Sequence, residues 1–186
     1  MADVTTLKEA VTQSGPYAVW ELMNEDERRA AATALWQNSD RETRIALEQT
    51  LAKEMKFRPQ SIHRLPLDRV VARLVRLAED VPENVLFQYL FHLHMADRRP
   101  LLREFLDAAG IPHNDGVLEL PEEFEGPDAA RVGQSAKDLV GAHGHVALVY
   151  LATLKVADKE FWTGLDQVLE AHAADGTAMS VQGIAP

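Results

Sequence analysis

The sequence predicts an all-α fold: a single domain over residues 1–176, built from about seven to nine helices arranged as helical hairpins. Three observations carry this. Two stretches, near 83–97 and 146–156, are apolar on almost every side, which is the pattern of a central helix. Around them lie segments whose apolar residues recur at helical spacing and open on capping signals. No stretch of strand length alternates with period two. With 186 residues and a hydrophobic fraction of 46%, the chain can bury a sizeable core.

Taken in order, Thr6-Leu7-Lys8-Glu9 has capping-box spacing, and Gly15-Pro16 stops the helix it opens. A short helical segment follows over 17–23. Asn24 caps a helix over 25–36 whose first turn holds Glu25, Asp26 and Glu27, where the helix dipole favours negative charge. Ser39-Asp40-Arg41-Glu42 reads as another capping box, for a helix to about residue 56. Arg58-Pro59 and Pro66 bound a connector over 57–65. Pro66 suits the first turn of the next helix. There Leu67, Val70, Val71, Leu74, Val75 and Ala78 form one stripe, with Arg69, Arg73 and Arg76 opposite.

Pro82 begins the first apolar helix, with Val85, Leu86, Phe87, Tyr89, Leu90, Phe91 and Leu93. Asp97 is the expected cap of a helix over 98–109, where Leu101, Leu102, Phe105, Leu106 and Ala109 form the buried stripe and Gly110 the stop. Residues 111–126 are the longest irregular stretch. Within it His113-Asn114-Asp115-Gly116 is turn chemistry, and 117–120 is briefly extended. Pro127 opens a helix that ends near Gly141, and His143-Gly144-His145 links it to the second apolar helix. Asp158 is the expected cap of a last helix that carries Phe161, Leu165, Val168, Leu169 and His172 on one face and ends at Gly176. Residues 177–186 read as a flexible tail.

The two apolar helices head units that correspond over 83–116 and 146–176. Tyr89-Leu90, Ala96-Asp97 and Asp115-Gly116 match Tyr150-Leu151, Ala157-Asp158 and Asp175-Gly176. A divergent duplication and a coincidence of ordinary hairpins both fit. Tetratricopeptide and ankyrin spacing is absent.

Composition removes several classes of function. With no cysteine there is no disulfide, thiolate nucleophile or cysteine-bound zinc. Met1-Ala2-Asp3-Val4 lacks the basic and apolar regions of a signal peptide. No apolar run approaches the roughly 20 residues that span a bilayer. The expectation is a cytoplasmic protein with no membrane partner. A net charge of −10 disfavours nonspecific nucleic-acid binding. The charge is uneven, however. From Arg41 to Arg76 nine basic residues face four acids, a local +5 that leaves −15 for the remainder.

The candidate chemistry is sparse. There is no P-loop, dinucleotide fingerprint, Gly-x-Ser-x-Gly elbow, Ser-x-x-Lys or His-Glu-x-x-His. His92 and His94 are two apart on a helix and point in nearly opposite directions, so they cannot easily share a metal; Gln88 and His92 do share a face. His113, Asp115, His143 and His145 are ligand types that would suit a metal if their loops met. Arg69, Arg73 and Arg76, with Arg58 and Arg64 upstream, present guanidinium groups to phosphates or carboxylates. Phe57 is the only aromatic residue there, so base stacking is poorly supplied. Arg98 and Arg99 stand at a helix start, where the dipole opposes cations. Such a broken local rule marks a used surface or a specific salt bridge.

The expected function is therefore a non-catalytic helical interaction module. It has no cofactor and no catalytic residue, and binds protein through Arg98, Arg99, His113, Asp115, Arg69 and Arg73, with a homodimer possible in principle. One alternative is a metal- or anion-dependent enzyme or ligand-binding protein that uses the His/Asp set. A second is nucleic-acid association through 58–76.

Overall fold

Capping decides where the helices begin. The computed structural model describes residues 5–172. Among these are eleven α-helices, one 3-10 turn and a two-stranded ribbon, so the all-α class holds. The count exceeds seven to nine; 59–62, read as a connector, is a short helix of its own, and 166–170 is what remains of the longer last helix. No helix among the described residues is long and apolar enough to cross a membrane. Met1 to Val4, Asp175-Gly176 and the expected tail at 177–186 lie outside the described residues.

The chain groups into two compact units. One takes in the described chain to Leu22, Ala108–Ile111 and the described chain from Glu122 onward. The other takes in Met23–Asp107 and Pro112–Pro121.

In the first unit, α1 (Leu7–Ser14) opens on the expected capping box. Glu9 N–H donates to Thr6 Oγ1, and Thr6 N–H donates to the Glu9 carboxylate. Gly15 turns the chain into α2 (Pro16–Leu22). Asp128, one residue past Pro127, caps α9 (Ala129–His143) by accepting from Ala130 and Arg131 N–H. Gly144 then leads into α10 (His145–Ala157). Here α10 is the central rod: every residue from Ala147 to Thr153, and Lys155, is buried. Helices α1, α2 and α9 pack on it. The last helix departs from expectation. Asp158 closes α10 and uses Oδ1 to accept from Glu160 and Phe161 N–H. A turn, a 3-10 segment (Thr163–Leu165) and the short α11 (Asp166–Glu170) replace one continuous helix.

Lys155 explains the break. It is 4% exposed, and its ammonium lies 2.9 Å from Asp166 Oδ1. It also donates to Lys159 O at 2.7 Å and Trp162 O at 3.4 Å. A buried ammonium is costly unless it is paired, so the chain folds its carbonyls around it.

In the second unit, α3 (Glu25–Asn38) starts on an Asn24–Glu27 capping box. The next cap is Asp40, not Ser39: Asp40 Oδ1 accepts from Thr43 N–H at the start of α4 (Arg41–Met55). Short α5 (Pro59–Ile62) leads to α6 (Leu67–Leu77), whose Val70, Val71 and Leu74 are buried. Helix α7 (Glu83–Asp97) packs on α3. Tyr89 O–H donates to Leu74 O at 3.1 Å, which ties α7 to α6. This helix is not covered all round, contrary to its composition. Leu86, Tyr89, Leu90, Leu93 and His94 are buried, but Gln88 is exposed and Phe91 is 45% exposed. Nor does Asp97 cap α8 (Arg99–Ala109). It is the last residue of α7, and Arg98 is the break. Arg98 N–H donates to His94 O while Arg98 O accepts from Leu102 N–H, so one residue ends one helix and begins the next.

The closest backbone approach is in the first unit. A Cβ built on Gly164 would lie 2.5 Å from Ala129 O and 2.8 Å from Val132 Cβ, so only glycine lets the 3-10 segment rest on α9. Gly164→Ala should cost about 1–3 kcal/mol through overpacking. Gly141, in α9 with open space around it, should instead gain about 0.5–1 kcal/mol on change to alanine, the helix-propensity difference. Urea denaturation of both variants checks the opposite signs.

Candidate functional site

Arg98 and Arg99 break the dipole rule, and both prove to be ion-paired. Arg98 Nη2 lies 2.8 Å from Glu27 Oε1, with the two side chains 12% and 8% exposed. Because Arg98 also terminates α7, its charge is favourable at that carboxyl end. Glu27 meanwhile accepts from Asn24 N–H, so the α3 cap and the α7–α8 junction share one carboxylate. His94, one turn before Arg98, is fully buried. Burial, and then the Arg98 charge, push its imidazole down to about 3. His92 is also lowered by partial burial, against the opposing pull of Asp40.

The 107–116 cluster forms as a knot. His113–Asn114 (β1) pairs antiparallel with Val117–Leu118 (β2), and Asp115-Gly116 makes the two-residue turn with positive φ at both positions. That geometry is the reason for an Asp-Gly pair in a tight hairpin. Asp115 Oδ2 meets Arg99 Nη1 at 2.9 Å, and its Oδ1 meets Arg103 Nη1 at 3.2 Å. Gly116 N–H donates to His113 Nδ1 at 3.2 Å, which leaves the proton on Nε2, 3.1 Å from Asp107 Oδ1. Both ring nitrogens of His113 are thus engaged, and neither offers a lone pair to a metal. Arg103 and Asp107 were not among the sequence candidates. Their one signal is helical: Arg103 lies four residues after Arg99, and Asp107 four after Arg103.

The other metal candidates do not complete a centre. His143 ends α9 with an exposed side chain, and His145 starts α10 half-buried. Among the described residues, no group of three or more His, Asp or Glu side chains is placed to hold a metal ion. His113, Asp115, His143 and His145, the set named for a metal, do not form such a group among the described residues. A groove of about 360 Å³ between α9 and the 3-10 turn is lined by Gly133, Gln134, Lys137, Thr163 and Gly164; Lys137 is its only charged side chain, so it lacks an acid–base pair.

The basic face of the second unit is different. On α6, Arg73 Nη2 meets Glu54 Oε1 at 3.4 Å, but Arg69 and Arg76 are exposed and meet no carboxylate among the described residues. The Arg69 guanidinium lies 5.9 Å from the Phe57 ring, and Phe57 is 41% exposed. Lys53, Lys56 and Arg58, which flank Phe57 in the chain, are likewise exposed and without a carboxylate partner among the described residues. Arg64 shares this condition. Here exposed cations stand without carboxylates among the described residues, whereas at 98–116 Arg98, Arg99 and Arg103 each meet one.

Comparison with family models, with curated proteins and with solved structures gives no match. The chemistry of the two units therefore rests on their own residues.

The buried His94 sets a pH dependence. The unfolded imidazole binds a proton below about 6.5, while the folded one resists it down to about 3. The contribution is whole above pH 6.5 and is lost as pH falls toward 3. At pH 5 the loss should be on the order of 2 kcal/mol relative to pH 7. His94→Leu should flatten this slope in urea titrations at the two pH values; an unchanged slope would assign it to other groups.

Proposed function

We propose that the chain is a non-catalytic helical interaction module that binds acidic protein partners through the basic face of its second unit. The observation that carries this reading is the set of exposed cations around Phe57, namely Lys53, Lys56, Arg58, Arg69 and Arg76, which have no carboxylate partner among the described residues. Exposed guanidinium and ammonium groups keep their full capacity to donate, and an exposed aromatic ring beside them gives a partner apolar area to cover.

A protein partner suits this face better than a nucleic acid. A polyanion would approach a chain of net charge −10, and one aromatic ring supplies little stacking. A peptide needs only a few carboxylates and one or two apolar side chains to match the patch. Of the six residues singled out in the sequence, Arg69 and Arg73 belong to this face. Arg98, Arg99, His113 and Asp115 hold the α7–α8 junction and the β1–β2 turn, so their role here is to stiffen the unit.

The test is fluorescence anisotropy with an acidic synthetic peptide carrying Leu and Phe, and with a single-stranded oligonucleotide of equal charge. The peptide should bind, and raising the salt should weaken it. The double variant Arg69→Glu/Arg76→Glu should lose about tenfold or more in affinity with its helical content intact. Tighter binding of the oligonucleotide, or a peptide affinity indifferent to both arginines, overturns the reading.

A further inference from the structure

The chain carries the complement of its own basic face. Val117, Leu118 and Leu120 are 46%, 40% and 40% exposed, three of the eight large apolar side chains exposed among the described residues. Between and beyond them stand Glu119, Glu122, Glu123 and Glu125, all exposed and none within ion-pair distance of a cation among the described residues. The stretch 117–125 holds four acids and no base. In a folded protein, apolar side chains gathered on an exposed segment mark a contact surface. A segment that alternates them with carboxylates selects a partner that is basic and partly apolar.

We infer that the occupant of the basic face is a second copy of this chain, which offers its 117–125 segment. This rests on the interaction reading above and names its partner. Charge complementarity argues for it. Lys53, Lys56, Arg58, Arg69 and Arg76 on one side and the acids of 117–125 on the other have no ion-pair partner among the described residues, and the two sets are opposite in sign, both exposed, and both accompanied by exposed apolar side chains. Two copies related by a two-fold axis make this contact twice, face to segment and segment to face, so the assembly closes at two chains. The carboxylates of Glu119 and Glu122 accept from Arg69 and Arg76 of the other copy. The exposed aliphatic side chains cover the Phe57 ring.

Sedimentation velocity on the full chain, over a concentration series at low and high salt, tests this. Wild type should move from 20.7 kDa toward twice that mass as concentration rises at low salt, and return to the monomer at high salt. Arg69→Glu/Arg76→Glu and Glu119→Lys/Glu122→Lys should each stay monomeric. An equimolar mixture of the two should recover the dimer, because each bears the charge that the other has lost. Circular dichroism of both variants controls for folding. A wild type that is monomeric at every concentration in low salt overturns the inference, and so does a mixture that fails to associate. Both results leave the peptide assay untouched: a monomer that still binds the acidic peptide through Arg69 and Arg76 loses the second copy as partner but keeps the acidic-protein reading, whereas loss of peptide binding removes the reading itself.

Discussion

A helix with no polar face has to be surrounded, and in the first unit that demand shapes everything near α10. Leu148, Val149, Tyr150 and Leu151 are successive residues that point in four directions, and all are buried. At about 1.5–3 kcal/mol for each large apolar side chain taken out of water, no arrangement that leaves one side of α10 bare competes. Helices α1, α2 and α9 supply the cover. The same burial traps Lys155, and an ammonium held in such a place must be fully satisfied. Asp166 provides the charge, and the carbonyls of Lys159 and Trp162 provide the remaining acceptors. Those carbonyls are free to turn inward only because the helix stops at Ala157. Thus the break after α10, the 3-10 segment and the short α11 all follow from one buried cation on an otherwise apolar rod.

The second unit solves a milder version of the problem. Helix α7 leaves Phe91 and Gln88 outside, so it is held by packing on one side and by specific polar contacts. Tyr89 donates to Leu74 O, and burial raises its phenol above the ordinary range, so the hydroxyl stays a donor. At the carboxyl end, Arg98 serves two helices and one distant carboxylate. A buried pair of this kind adds little net stability over an apolar replacement, but removal of one partner strands the other. Its consequence is positional: Glu27 and Arg98 fix where α7 stops and α8 starts.

What could be read in the sequence follows the range of the interaction. Capping boxes at Thr6 and Asn24, the stripe of α6, and the turn at Asp115-Gly116 all depend on residues within four positions of one another, and the sequence displays them directly. The errors have the opposite character. Asp97 and Asp158 look like helix starts because aspartate is a good cap; each is overruled by a partner that local pattern does not reveal. For the first, that partner is Glu27, 71 residues from Arg98. For the second, it is the turn built around Lys155. The site divides in the same way. That Arg98 and Arg99 need compensation was legible from the dipole; that Glu27 and Asp115 supply it was not. Nor does any spacing rule contain the hydrogen bonds that engage both nitrogens of His113, with Gly116 and Asp107.

The charge asymmetry turns on this distinction between pairing and exposure. Counting residues from 41 to 76 gives an excess of five positive charges, yet the count alone cannot say whether nearby acids absorb it. The structure absorbs part of it. Glu54 takes Arg73, and the buried Glu48 carboxylate lies 3.2 Å from His63 Nε2. Asp68, the third of the four local acids to find a partner, pairs with Arg29, outside the basic stretch. Three of the four local acids are therefore spent elsewhere and none of them meets Arg69 or Arg76, although both lie on the same helical stripe as Arg73. An arginine that meets a carboxylate within its own unit is a strut. One that has none nearby keeps its donors turned to solvent, where surface pairs are worth little singly and several acting together set orientation and partner. The difference between Arg73 and its two neighbours is what turns a compositional bias into a surface with a direction.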